Sequence, residues 1–84
     1  MSEQSVRVSG YILRVVENQL ETNAPPQTRE TLERLVGLGF GVEDAKHLIG
    51  SAIAAEMRSV VSESRPFNEE RFLALLRGLP TIPS

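Results

Sequence analysis

The longest helical pattern in the chain runs from Val42 to Val61, VEDAKHLIGSAIAAEMRSVV, with no proline to interrupt it. On a wheel of about 100° per residue, Ala45, Leu48, Ile49, Ala52, Ile53 and Val60 share one arc, which predicts a stripe facing a core. Glu56 falls inside the same arc, where an unpartnered carboxylate is costly. It is therefore expected to find a partner, a water or an edge, and desolvation is expected to raise its pKa unless its charged form is hydrogen-bonded. Glu43, His47, Gly50 and Ala54 fall on the other side. Gly and Ala there admit a second backbone at close range, so the helix is expected to be covered on both sides.

The chain has 84 residues, which predicts one helical domain over 1–84 with a small core. Nine basic against eleven acidic residues, with no basic block, argue against a phosphate-tracking surface and hence against nucleic acid as a partner. There is no cysteine, which leaves His and carboxylates as the strong candidate metal ligands. No apolar run approaches the ~18 residues of a membrane span, and MSEQSVRVSG lacks a basic start followed by an apolar stretch. These features predict a cytoplasmic protein with no membrane partner.

Along the rest of the chain, Val8, Ile12, Val15, Val16 and Leu20 recur at helical spacing and predict a helix from about Val6 to Leu20. Gln19 lies in its apolar arc. Gln19 and Glu56 are thus two candidate buried polar residues, either sharing a hydrogen bond or lying at stripe edges in contact with solvent. Asn23-Ala24-Pro25-Pro26 ends the helix, and a proline opens the next, which turns Leu32, Leu35 and Val36 inward and pairs Glu30 with Arg34 outside. Gly37 or Gly39 stops it. The run Gly37-Leu38-Gly39-Phe40-Gly41 has the look of a phosphate loop, but a helical pattern precedes it where a strand is needed, so it reads as a helix cap with Phe40 anchored in the core. After the central helix, Asn68 reads as the N-cap of a last helix carrying Phe72, Leu73, Leu75, Leu76 and Leu79. Gly78 closes that helix, and residues 79–83 are expected to run extended against the bundle through Leu79 and Ile82. The fold class is all-α, a small bundle of about four helices with an extended, Pro-containing C-terminal tail.

Val16-Glu17-Asn18-Gln19-Leu20 and the run Glu43-Asp44-Ala45-Lys46-His47-Leu48-Ile49-Gly50-Ser51 resemble the motifs V-E-x-Q-[IL] and H-E-A-x-H-x-I-G-S of a family of small uncharacterised bacterial helical proteins. The resemblance implies a helical fold and a site, but no reaction. Here the motif is degenerate: Glu43 stands for the first His and Asp44 for the Glu, while His47 keeps the second His. Two His at i and i+4 with a Glu between them would hold zinc, and that arrangement is not present. Glu43 and His47 keep the i,i+4 spacing and Asp44 and His47 the i,i+3 spacing, and the resemblance adds Glu17 as a further ligand for a divalent metal. A second, shorter resemblance covers Leu32 to Ala45, similar to ubiquitin-associated-type helical modules, in which the Gly-aromatic turn docks partners. It points to Phe40.

No complete catalytic or cofactor-binding signature is present, so no catalytic residue is assigned. The function expected is a noncatalytic protein–protein interaction or assembly module, homo-oligomeric or bound to another protein. Its candidate residues are Leu13, Phe40, Gly50, Ala54, Met57 and Val61, apolar or small positions beyond a single core face. The alternative is a metal-binding carboxylate/His protein using Glu17, Glu43, Asp44 and His47 in a structural or catalytic site, with no other cofactor implied.

Overall fold

A computed structural model describes residues 6–82. The helices are α1 (Gly10–Thr22), α2 (Pro26–Gly37), α3 (Val42–Glu63) and α4 (Glu69–Gly78), and there is no strand among the described residues. α1 starts later than periodicity suggests. Ser9 is extended (ψ 160°) and its Oγ accepts from the Ile12 N–H at 3.2 Å, so the cap stands at Ser9 and not before Val6. Residues 6–9 are non-helical, with Val6 and Val8 half-buried and Arg7 between them exposed. The valines simply have two-residue spacing, which over so short a run is compatible with either period.

Asn23 at φ 54° closes α1 in the left-handed conformation, and Pro26 takes the first turn of α2, where its missing N–H leaves no helical bond unmade. α2 ends at Gly37. Gly39 lies at φ 108°, a region that side chains avoid, and the Phe40 N–H returns to the Leu35 carbonyl at 3.1 Å. The glycine run is therefore a helix stop, and Phe40 packs half-buried against the core. α3 carries Glu43 and Asp44 in its first turn, where carboxylates suit the macrodipole, and runs to Glu63, slightly beyond Val61. Asn68 Oδ1 caps α4 by accepting from the Arg71 N–H at 3.0 Å.

α3 packs against each of the other three helices, and α2 also contacts α1 and α4. Val16, Leu35, Ile49, Phe72, Leu76 and Leu79 are sealed in the shared core, each large aliphatic or aromatic side chain contributing about 1.5–3 kcal/mol. The Cα radius of gyration of 12.3 Å matches the ~12 Å of a compact chain of this length. On α2 the inward row is Thr28, Thr31 and Leu35, whereas Val36, expected inside, is 41% exposed. Arg34 is drawn away from Glu30: its guanidinium donates to the Leu76 carbonyl at 2.9 Å and the Leu79 carbonyl at 2.7 Å. It thereby satisfies the C-terminal end of α4 from across the bundle. Beyond α4 the chain turns back instead of running extended, because the Thr81 N–H reaches the Gly78 carbonyl at 3.0 Å. Leu79 is buried and Ile82 about half exposed, while Pro83 lies outside the described residues.

Gly50 explains how α3 is covered on its second side. A Cβ there would lie 2.8 Å from Val8 Cγ2 and 3.1 Å from Ile12 Cγ2, so the N-terminal segment and the start of α1 sit directly on the helix backbone.

Candidate functional site

Glu56 faces the core from α3 with no exposed surface. Arg65, in the α3–α4 connection, grips it with two nitrogens at 2.6 and 3.1 Å, the Asn68 N–H donates at 2.8 Å, and Arg71 Nε stands 3.5 Å away. Arg65 also bonds Glu63 Oε1 at 2.8 Å and the Pro66 carbonyl at 2.9 Å. The Arg65 hydrogen bonds outweigh the desolvation that would raise the Glu56 pKa, and with the Asn68 N–H they hold the carboxyl below its ordinary value. The guanidinium is held above its own ordinary value in turn, chiefly by Glu56. Of the two expected outcomes, a carboxyl raised by desolvation or one offset by hydrogen bonds to its charged form, the second applies. Gln19 is not the partner: its Oε1 accepts from the buried Thr28 hydroxyl at 2.7 Å, tying α1 to α2. Arg65 had one signal in the sequence, a lone arginine nine residues after a carboxylate placed in an apolar arc.

The four metal candidates are each engaged within the chain. His47 Nδ1 accepts the Val8 N–H at 3.1 Å, which makes Nε2 the protonated nitrogen of the neutral ring. Asp44 Oδ1 stands 3.3 Å from Arg7. Glu17 and Glu43 both approach Lys46 Nζ, at 3.9 and 3.7 Å. A lysine therefore lies near the two carboxylates, and among the described residues no group of three or more His, Asp or Glu side chains is arranged to hold a metal ion.

The interaction candidates separate into groups. Gly50 is buried under Val8, Leu13 is half-buried, and Phe40 belongs to the core margin, with Leu38 60% exposed beside it. Ala54, Met57 and Val61 share a shallow groove of about 520 Å³ with Ile12, Ser62 and Arg58. Val61 is 79% exposed there, the most open large apolar side chain among the described residues. Ala54, Met57 and Val61 follow the i, i+3, i+7 spacing of one helix edge, and Ile12 of α1 supplies the facing wall. Ile12 and Arg58 were not singled out from sequence. Ile12 reads there as one of the apolar positions of the first helix. No family model, no curated protein and no solved structure matches the chain.

Proposed function

We propose that the chain is a noncatalytic interaction module that assembles by receiving a helix in the groove between α1 and α3. The supporting observation is the groove itself, a shallow apolar strip along α3 flanked by Ile12 of α1, on which a third helix can lay an apolar face. Arg58 sets the sign of the occupant. It makes no ion pair among the described residues and lies at a lining otherwise free of charge, so it calls for a carboxylate beside the apolar face of the guest. The chain has an excess of acidic residues, net −2, and the outer side of α1 combines Tyr11 and Val15 with Glu17 and Glu21, two carboxylates against the single Arg14 beside them. A second copy of this chain meets the requirement, and the assembly is a homo-oligomer.

Sedimentation from micromolar to sub-millimolar concentration tests the reading. A mass rising above the 9.3 kDa of one chain is expected, and Val61→Glu or Arg58→Glu should return it to that value without loss of helicity. A single-chain mass throughout would overturn it.

A further inference from the structure

The groove and α1 leave one point in opposite directions. α1 begins over Gly50, where Val8 and Ile12 lie against the backbone of α3, and by Glu17 it has come within 3.9 Å of Lys46, so it runs toward the start of α3. The groove runs the other way, from Ala54 beside Ile12 to Val61. At 1.5 Å per residue the groove is about 10 Å long, and α1 from Ile12 to Glu21 is about 14 Å. Two strips of similar length that diverge from a common point are what a two-fold rotation exchanges. An axis near Ile12 lays α1 of each copy along the groove of the other.

The chemistry of the two strips is matched. α1 presents Tyr11, 69% exposed, with Val15 one turn on, and the groove presents Ala54, Met57 and Val61. The α1 strip carries Glu17 and Glu21 against Arg14, one net negative charge, while the groove carries Arg58 alone. Across the axis the two strips neutralise each other, and Arg58 gains the carboxylate that it lacks among the described residues of its own chain. We propose that the assembly is a closed two-fold dimer in which each copy lays its α1 in the α3 groove of the other, with Gly10 and Ile12 beside the axis. The groove's taking a second copy is the proposed function on which this rests; the exchange adds which segment enters it, and it closes the assembly at two because both strips of each copy are then filled.

Gly10 opens α1, and a Cβ added there meets nothing within 4 Å, so Gly10→Cys places one thiol near the axis of a chain that has no other. A two-fold pair brings that thiol close to its own copy, whereas a head-to-tail contact brings it to a different position. Sedimentation of the parent chain is expected to level off at twice the 9.3 kDa of one chain. With a short bifunctional thiol cross-linker, Gly10→Cys should be linked into pairs several-fold more than Gly37→Cys, whose added Cβ at the end of α2 is equally free of contacts. A mass that climbs past two chains, or linking of Gly10→Cys no greater than that of Gly37→Cys, would overturn the exchange and leave the groove a site of self-association. A single-chain mass at every concentration would overturn both.

Discussion

A carboxylate at a core-facing position is tolerable only if the fold brings donors to it, and Glu56 receives them from a segment that is not helical. Glu56→Gln removes the buried one of the two carboxylates that Arg65 holds and leaves the guanidinium only the exposed Glu63. The substitution should destabilise by about 3 kcal/mol, the low end for a broken buried pair because Arg65 is still a fifth exposed. Chemical denaturation at neutral pH measures it. The pH dependence follows from the same contacts. The unfolded carboxyl takes up its proton near 4.5 and the folded one only at lower pH, so the contribution of Glu56 is complete above that value and is lost as pH falls through the folded pKa. Unfolding free energy should therefore decline with acidification below about 4.5, and the Glu56→Gln variant should show a shallower decline.

At the scale of elements, two contacts decide how helices meet. Gly50 admits Val8 against the backbone of α3, so Gly50→Leu should cost about 1–3 kcal/mol by overpacking. Gly50→Ala in a Val8→Ala background should cost less than in the parent chain, because the 2.8 Å approach of Val8 is gone while Ile12 Cγ2 still stands 3.1 Å from the new Cβ, set against a helix-interior preference for Ala over Gly of about 1 kcal/mol. Thermal melts of the pair separate packing from propensity. Arg34 joins α2 to the end of α4 through two carbonyls. Arg34→Leu should cost about 1.5 kcal/mol and raise hydrogen exchange at the end of α4. Arg34→Lys should restore little, since an ammonium lacks the planar fork that spans both acceptors.

At the scale of the whole molecule, α3 contacts every other helix and still leaves the edge at Met57 and Val61 open. A position as exposed as Val61 contributes little to folding. Val61→Glu should therefore change stability by no more than about 0.5 kcal/mol while lowering the mass of the assembly. Sedimentation read beside a melting curve makes the distinction. A fall in both would mean that Val61 supports the single chain instead.

The all-α class, the helix stops at Gly37–Gly39 and Gly78, the proline in the first turn of α2, the cap at Asn68, and the core stripe of α3 were legible in the sequence, because each depends on residues within a few positions of one another. The place of Glu56 in the core-facing arc was legible for the same reason, since the arc is a property of α3 alone, whereas its full enclosure was not. Its partner was not. Arg65 meets Glu56 only after the chain leaves α3 and turns toward α4, and Arg34 meets the carbonyls of α4 only once the helices have packed. The candidate site divides along the same line. The apolar edge of α3 can be read from spacing, whereas Ile12 as its second wall and Val8 as the cover of Gly50 exist only where two elements cross. Periodicity specifies which face a side chain takes. What that face meets is decided by tertiary packing, in which donors far apart in sequence satisfy whatever polar groups the core has enclosed.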